Sequence, residues 1–322
     1  MIIKQVRGAR AAVVLTAAAL VLTACGGQQA GPTTTGEGGG ASGQVRIDGS
    51  STVAPLTSAA AELFRSENPN INVTVATSGT GGGFEQFCSG NTDISNASRP
   101  INDEEKAACQ QAGVQFVELQ VANDALTVVV NPQNTWANCL TVQQLATIWG
   151  PQSEGQITSW NQVDPSFPAE PLALFGPGTD SGTFDYFTDE INGDEGASRT
   201  DYNASEDDNV LVQGVEGATG ATAYFGYTYF EENSSRLKAV QVDGGSGCVA
   251  PSAATVQDGT YTPLARPLFI YVNKEAYGRP EVKEFVNFYV AQDGPIAEAA
   301  QFVALNDEQR AALTAAAQGL AS

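Results

Sequence analysis

Two runs of Ser, Thr and Gly have the residue types that hold oxyanions: "TSGTGGG" at residues 77 to 83 and "GTDSGT" at residues 178 to 183. Each run precedes a segment with helical character. The first N–H groups of a helix have no intrahelical partner, so they can cradle an anion. Neither run is followed by the Lys-Ser or Lys-Thr pair of a nucleotide-binding P-loop. The runs therefore predict an oxyanion site that does not bind ATP.

A third run, "GSST" at residues 49 to 52, occupies the same position after a predicted strand and before a predicted helix. In open α/β sheets, ligands collect at the carboxyl ends of strands, so we expect the three loops to converge. The hydroxyl donors that they offer are those of Ser51, Thr52, Thr80, Ser181 and Thr183. The glycines Gly81 to Gly83 and Gly182 leave room for a close approach of the backbone. Each loop alone is weak evidence, because Ser/Thr/Gly turns and helix caps are ordinary, and it is the agreement of the three that favours a ligand site.

The elements that position these loops alternate between strand-like and helix-like segments, from "QVRIDG" at residue 44 to the helical "NDEQRAALTAAAQ" at residue 306. This alternation predicts an α/β fold with largely parallel sheets. The long span between the strands "TVVVN" and "FIYVN" indicates an inserted domain. We therefore predict a bilobed chain with two crossings: lobe 1 at 44–131 and 266–322, and lobe 2 at 132–265.

Composition excludes several functions. The 322 residues include no histidine, so a Ser-His-Asp or Cys-His catalytic site and a histidine-ligated metal are impossible. The formal charge of −21 argues against nucleic acids and anionic membranes as partners. A small anion remains possible, because fixed donors act at contact distance while the net field is screened beyond about 8–10 Å. We predict a monomer that is not an enzyme and needs no metal or cofactor.

The first 24 residues read as an export signal, with Lys4, Arg7 and Arg10 before the apolar run "AAVVLTAAALVLTA". "LTAC" at residues 22 to 25 resembles a bacterial lipobox, in which the Cys becomes the lipid-bearing first residue of the mature protein. Residues 25 to 43 then form a flexible tether. The alternative is an ordinary cleaved signal that contains Cys25. Removing residues 1 to 24 takes away three basic groups and no acidic group, so the charge changes from −21 to −24.

Four cysteines remain after export to an oxidising compartment: Cys88, Cys109, Cys139 and Cys248. Spacing alone cannot decide among their three possible connectivities. We predict Cys88–Cys109 and Cys139–Cys248, because each bridge then falls within one lobe. No CxxC motif suggests a metal or redox role, so the bridges are expected to be structural.

The segments "DGSSTVAPL", "SGTGGGFEQFCSGNTDISNASRPI" and "FGPGTDSGTFDYF", together with the lipobox, resemble the PstS-type phosphate-binding proteins of bacterial phosphate ABC transporters. The resemblance covers about residues 45 to 305. It implies a type II periplasmic-binding-protein fold that closes over phosphate between two lobes. It also implies an extracytoplasmic receptor, anchored to the outer face of the membrane through a lipid such as palmitate on Cys25, which passes phosphate to a permease and its ATPase subunits.

Motif by motif, the resemblance assigns Ser51 and Thr52 to the first phosphate loop, Thr80 to the second, and Ser181, Gly182 and Thr183 to the third. Many members of the family have an Asp directly after the Ser of the "AS" turn and an Arg four residues before "SGT". Here those positions are Arg99 and Pro177. Arg99 is therefore the predicted cationic contact to phosphate. The alternative is a surface salt bridge from Arg99 to Asp103 or Glu104.

Selection of phosphate over sulfate requires a carboxylate that accepts the proton still carried by phosphate, because sulfate has none to offer. Asp180 is the predicted acceptor. It has two alternatives: Asp180 is a helix cap, or the acidic run at residues 205 to 209 supplies the acceptor. The competing functions are a receptor for another tetrahedral oxyanion such as sulfate, an extracellular hydrolase, and an adhesin or interaction protein.

Overall fold

The computed structural model describes residues 41–179 and 181–321. The predicted signal sequence, the lipid-bearing Cys25 and most of the tether lie outside these residues, as does Asp180. The described part of the chain contains twelve strands and thirteen helices. The strands are β1 (Gly43–Gly49), β2 (Ile71–Val75), β3 (Ile94–Ala97), β4 (Phe116–Val130), β5 (Cys139–Thr141), β6 (Ala173–Gly176), β7 (Asn203–Ala204), β8 (Ala221–Gly226), β9 (Lys238–Ala239), β10 (Gln241–Asp243), β11 (Cys248–Val249) and β12 (Ala265–Asn273).

The helices follow the strands in the predicted alternation. They are α1 (Ala54–Glu67), α2 (Gly79–Cys88), α3 (Asp103–Gln111), α4 (Val142–Trp149), α5 (Trp160–Val163), α6 (Gly182–Asn192), α7 (Asp208–Glu216), α8 (Tyr227–Glu232), α9 (Ala253–Gln257), α10 (Lys274–Tyr277), α11 (Pro280–Ala291), α12 (Asp293–Ala299) and α13 (Asp307–Gln318).

Helix α1 shows how the sequence sets these elements. Pro55 lies in its first turn, where a missing N–H costs nothing, and the helix ends at Glu67, before Pro69. Its side chains at Leu56, Ala60 and Phe64 are spaced by four residues and are buried. This single apolar stripe fixes one face of the helix against the sheet.

A mixed sheet of nine strands forms the frame, in the order β2-β1-β3-β12-β4-β8-β6-β7, with β9 paired to β4. Strands β1, β2 and β3 run parallel, whereas β12 is antiparallel to both β3 and β4. A second sheet has the order β11-β10-β5. The α/β class is thus confirmed, but the prediction of largely parallel sheets is wrong, because β12 and β4 run antiparallel to their neighbours in the middle of the large sheet. The two predicted lobes share one hydrogen-bonded sheet, because β4 is 15 residues long and pairs with a strand of each part.

The hydrophobic side chains pack in separate clusters on the two sides of this shared region. Along β4, Leu119 and Val121 belong to a first cluster, whereas Leu126 and Val128 belong to a second. Along the returning chain, Leu264 packs in the second cluster, and β12 enters the first at Leu268. These two strands therefore pass between the clusters near residues 123–125 and 265–267, and Val303, which forms a β-bridge with Asn123, also packs in the second cluster. The predicted lobe boundaries stay a prediction.

Both predicted disulfides are present, and this pairing is confirmed. Cys88–Cys109 links the end of α2 to α3, and Cys139–Cys248 links β5 to β11. The first bridge is buried among Phe84, Phe87 and Ile101. Each bridge ties neighbouring elements on one side of the crossing strands, which is the role that was expected of it.

Candidate functional site

The first predicted loop joins β1 to α1 and is tied directly to the second. The Oδ1 atom of Asp48, at the end of β1, accepts from the backbone N–H groups of Gly49 (2.7 Å) and Ser78 (2.9 Å). Asp48 is buried. This carboxylate therefore holds the loop that contains Ser51 and Thr52 beside the start of α2, a role that sequence reasoning missed.

The second loop becomes the first turn of α2. Gly79 has a φ of +80°, in the left-handed region that favours glycine. The Thr80 hydroxyl lies 3.2 Å from the Ser98 Oγ and accepts from the Ser98 N–H at 3.3 Å, which joins this loop to the turn after β3. Gly81 has open space where a side chain would begin, whereas a Cβ on Gly83 would stand 2.4 Å from the Gly49 Cα. Gly83 therefore serves the packing of α2 on β1 and not an approach to a ligand.

The third loop leads into α6. Ser181 is the N-cap, and its Oγ accepts from the Thr183 N–H at 3.2 Å. A Cβ on Gly182 would lie 3.4 Å from the Thr52 Oγ1. The start of α6 therefore meets the loop before α1, although the two loops are 130 residues apart in the chain.

A cavity of about 400 Å³ opens between these elements. Four of the predicted site residues line it: Ser51, Thr52, Thr80 and Arg99. Ser181 and Gly182 are not among its lining residues, and Thr183 lines a smaller cavity next to it, of about 160 Å³. We call the larger cavity the cleft.

Arg99 points its guanidinium at Glu105 and not at Asp103 or Glu104. Nη1 and Nη2 donate to the two carboxylate oxygens at 2.9 and 2.8 Å. The Glu105 carboxylate also accepts from the Asn102 N–H, so it belongs to the capping box of α3. Arg99 thus lies at the edge of the cleft, 44% exposed, with its charge already paired.

A second cation in the cleft was missed by sequence reasoning. Arg266 of β12 lies opposite Asp124 of β4 in the strand register, and its Nε donates to the Asp124 Oδ2 at 3.2 Å. Burial raises the pKa of the Asp124 carboxyl, and the Arg266 charge opposes that effect. A signal was available in the sequence: Asp124 and Arg266 each interrupt a largely apolar strand, and buried charges require partners.

The cleft wall formed by α6 and the turn after it is acidic. Its carboxylates belong to Asp185, Asp189, Glu190 and Glu195. Burial raises the pKa of Asp185, with a further contribution from Glu195, while Arg266 acts in the opposite direction. Burial likewise raises the pKa of Glu190, reinforced by Asp189. An anion in the cleft therefore faces helix-start donors on one side and negative charge on the other.

The smaller cavity brings Thr183 together with Asp124 and Asp208. Asp208 belongs to the acidic run at 205–209. Burial, followed by the charges of Asp207 and Glu206, raises its pKa to about 6. This part of the run is therefore not a fully solvated face.

Replacing Asp208 with Asn is expected to stabilise the protein at pH 7.5 and to do so about half as much at pH 5. The carboxyl titrates near pH 3.8 when unfolded and about 6 when folded, so the folded state binds more protons in that window. Stability then rises as the pH falls through 6, and the penalty above pH 6 disappears in the variant. After allowance for partial exposure, about 1 kcal/mol corresponds to a rise in Tm of about 2–4 °C.

The measurement is thermal unfolding of the wild type, Asp208→Asn, Glu206→Gln and Glu62→Gln at both pH values. Glu206→Gln is expected to relieve part of the same repulsion, since the Glu206 charge acts on Asp208. Glu62→Gln is the control for the removal of one negative charge, because Glu62 is exposed on α1 and does not act on Asp208. Equal gains for Asp208→Asn at pH 5 and pH 7.5 would show that its carboxyl titrates normally.

The described residues provide neither a cluster of metal ligands nor a membrane-spanning helix. No group of three or more His, Cys, Asp or Glu side chains in residues 41–179 and 181–321 is arranged to hold a metal ion. Over the same residues, no helix combines the length and apolar character required to cross a bilayer.

Comparison with known proteins defines the class first. A family model described as a PBP superfamily domain matches residues 34–293. The chain belongs to this superfamily of substrate-binding proteins, which are not enzymes. A crystal structure of a possible phosphate-binding protein from Planctomyces limnophilus superposes with a TM-score of 0.83 at 45% identity, over 87% of this chain and 99% of that chain.

The particular family follows from two relatives. Phosphate-binding protein PstS of Staphylococcus saprophyticus is 41% identical over 290 residues, which are 89% of this chain and 87% of the relative. Protein SphX of Synechococcus elongatus is 52% identical over 262 residues, 81% of this chain and 77% of the relative. The chain is a member of the PstS-type family of phosphate-binding proteins, and the resemblance stated from its motifs is confirmed.

Proposed function

We propose that this protein is an extracytoplasmic receptor that binds inorganic phosphate in the cleft between its two lobes, the first formed by 44–131 and 266–322 and the second by 132–265. The observation that best supports the proposal is that the N-terminal ends of three helices, α1, α2 and α6, lie close together. The loops before α1 and α2 line the cleft, and Gly182 at the start of α6 lies against Thr52. Helix starts offer N–H donors and a positive dipole end to a tetrahedral anion.

The proposed phosphate contacts are the hydroxyls and amides of these loops together with Arg99. They belong to Ser51, Thr52, Thr80, Arg99, Ser181, Gly182 and Thr183. The names of the relatives from Staphylococcus and Planctomyces, which refer to phosphate binding, support the choice of this anion.

The proposal includes attachment and delivery. A lipid on Cys25 and the tether at residues 25 to 43 would hold the monomeric receptor at the outer face of the cell membrane, where it passes phosphate to the permease and ATPase subunits of an ABC transporter. The basic start, the apolar run and "LTAC" in the first 25 residues support this part. Membership in the PstS-type family supports the transport role.

Selectivity against sulfate is proposed to come from a carboxylate near the bound anion. Asp180, which lies outside the described residues, remains the proposed acceptor of the phosphate proton. Asp185 is a second carboxylate in the right place: it lines the cleft, is half-buried, and no described residue donates a hydrogen bond to its side chain. Sulfate would place an unprotonated oxygen against this acceptor, so two acceptors would face each other without a proton between them.

Titration calorimetry of the ligand-free protein at neutral pH is expected to show phosphate binding at least about 100-fold tighter than sulfate binding, the ratio given by about 2.7 kcal/mol of discrimination. Thr80→Val is expected to weaken phosphate binding about 10-fold, because one hydroxyl donor to a charged oxygen is removed. Thr74→Val is the matched control, since Thr74 lies on β2 and its hydroxyl donates to the Val45 carbonyl.

Equal affinities for phosphate and sulfate would refute the proton-acceptor argument and favour a general oxyanion receptor. Binding of neither anion would refute the proposed function. A hydrolase would instead turn over phosphate esters, and we expect only background rates with this protein.

A further inference from the structure

Arg266 lies where β4 and β12, the two strands that cross between the hydrophobic clusters, run side by side. Arg266 on β12 is paired in register with Asp124 on β4. On β4, the side chains change from the first hydrophobic cluster to the second between Ala122 and Ala125. Arg266 therefore lies at the junction of the two hydrophobic clusters, and its side chain lines the cleft.

From this position, Arg266 contacts elements of both sides. Its Nη2 donates to the Thr52 Oγ1 at 2.9 Å, next to the start of α1. Its guanidinium carbon lies 3.5 Å from the ring centroid of Tyr186 on α6, a close cation–π contact. The Tyr186 hydroxyl donates to the Pro263 carbonyl at 2.8 Å, which fixes the ring over the guanidinium. One side chain thus touches the loop before α1 and the helix that carries the third predicted loop.

The guanidinium retains donors for a ligand. Asp124 and Thr52 accept from Nε and Nη2, and among the described residues no protein group accepts from Nη1. The Arg266 side chain is 18% exposed, against 44% for Arg99, whose two Nη atoms are both engaged by Glu105. A charge that is shielded from water interacts more strongly with an anion than an exposed charge does.

The acidic wall of the cleft repels an anion, and a nearby cation offsets that repulsion. Asp185, Asp189, Glu190 and Glu195 face the same cleft, in a chain with a formal charge of −21. Helix-start donors alone would have to overcome this repulsion. Arg266 lies between the loop before α1 and α6, so its charge acts on an anion held between the two.

We propose that Arg266 is the principal cationic contact to the bound anion and that it couples binding to closure of the two sides of the cleft. Asp124 is its positioning residue, because the Asp124 carboxylate accepts from the Arg266 Nε and so fixes the direction of the guanidinium. A ligand shifts a conformational equilibrium only as far as it binds one arrangement better than the other. An anion held by Arg266, the loop before α1 and the start of α6 contacts both sides, so it stabilises the closed arrangement. This inference rests on the proposed function.

The test measures phosphate affinity by calorimetry, and closure by the change in radius of gyration that saturating phosphate causes in small-angle scattering. Arg266→Met is expected to weaken phosphate binding at least about 100-fold, since a desolvated charge-assisted contact is lost. Arg266→Lys keeps the positive charge but loses the planar set of N–H donors of the guanidinium, and we expect its phosphate affinity to fall about 10-fold. Arg99→Met is expected to lose clearly less affinity than Arg266→Met. Arg236→Met is the control, since Arg236 pairs with Glu216 outside the cleft.

The positioning role has its own readout. Asp124→Asn is expected to weaken binding about 10-fold and to reduce the phosphate-induced compaction, while Arg266 retains its charge. Thermal unfolding without phosphate separates these effects from damage to the fold. If Arg266→Met does not fold, Arg266→Lys and Asp124→Asn carry the test.

Several outcomes would overturn the inference. One is a phosphate affinity of Arg266→Met within threefold of that of the wild type. Another is a larger loss of affinity in Arg99→Met than in Arg266→Met. If Arg266→Met does not fold, unchanged affinity in both Arg266→Lys and Asp124→Asn overturns the inference instead. Undiminished compaction in Arg266→Met at saturating phosphate would refute the coupling to closure. In each case, phosphate binding by the wild type still supports the proposed function. If the wild type binds no phosphate, both the proposed function and the inference about Arg266 are refuted.

Discussion

Replacing Gly182 with valine is expected to weaken phosphate binding at least about 100-fold, which corresponds to the loss of about two charge-assisted hydrogen bonds. The physical reason is the space between two anion loops. A Cβ at position 182 would already touch the Thr52 Oγ1 at 3.4 Å and the Thr52 N at 3.7 Å. The two further methyl groups of valine would then occupy the gap through which an anion reaches the amides at the start of α6.

The loss should appear in binding and not in folding. Gly182 is the half-buried first residue of α6, and the three nearest atoms to a Cβ there all belong to Thr52 at 3.4 Å or more, which is ordinary van der Waals contact. Gly294→Val is the matched control, because Gly294 lies in the first turn of α12, and the nearest atom to its Cβ would be Nη2 of Arg310 at 3.8 Å. Calorimetry with phosphate and urea unfolding of both variants checks the result. Phosphate binding by Gly182→Val within threefold of the wild type would show that the third loop does not contact the anion.

The parts that could be predicted from sequence are those that depend on local chemistry. Ser181 as a helix cap, the glycine-rich start of α2 and the alternation of strands and helices all follow from preferences of neighbouring residues. The convergence of the loops was expected from their position at the carboxyl ends of strands, and the structure places Thr52 and Thr80 in one cleft. The disulfide pairing followed from the two-lobe layout.

The parts that could not be predicted depend on strand register and long-range contacts. Arg266 and Asp124 are 142 residues apart, and nothing local states that they face each other across two strands. Sequence reasoning therefore took Arg99 as the cation of the site, whereas the structure places a more buried arginine in the same cleft. A charged residue inside an apolar strand is the local trace of such a pair, but its partner appears only when the sheet is assembled.

The acidic wall of the cleft also depends on long-range packing, so it could not be predicted from the sequence. Asp185 and Glu190 lie on α6, and their carboxylates face the cleft because the packing of Phe184, Phe187 and Ile191 fixes the other face of that helix. Under the proposed function, a wall of negative charge opposite the anion would serve discrimination, since carboxylates can accept a proton from phosphate and repel an unprotonated competitor. Tight binding then requires the donors of three helix starts and a shielded cation to act together.

Replacing Gly83 with alanine is expected to destabilise the protein by about 3 kcal/mol, at the upper end of the usual cost of overpacking. The added methyl group would stand 2.4 Å from the Gly49 Cα, 3.0 Å from the Ser95 Oγ and 3.1 Å from the Asp48 carbonyl oxygen. Two of these three atoms belong to backbone at the end of β1, which cannot rotate away as a side chain can. Helix α2 would have to move off the strand.

Gly81→Ala is the matched control for the effect of alanine on helix propensity. Gly81 lies two residues earlier in the same helix, has a negative φ, and has no heavy atom within 4 Å of its Cβ position. Alanine there should stabilise α2 by about 0.5–1 kcal/mol, because glycine is the poorer helix former. Urea unfolding of both variants without phosphate gives the two free energies. If Gly83→Ala were as stable as Gly81→Ala, α2 would not be seated on β1 as the structure has it. If the two differ by several kcal/mol, the glycines of "TSGTGGG" have separate roles: Gly81 leaves the cleft open, and Gly83 sets the distance between α2 and β1 that brings Thr80 beside the first loop.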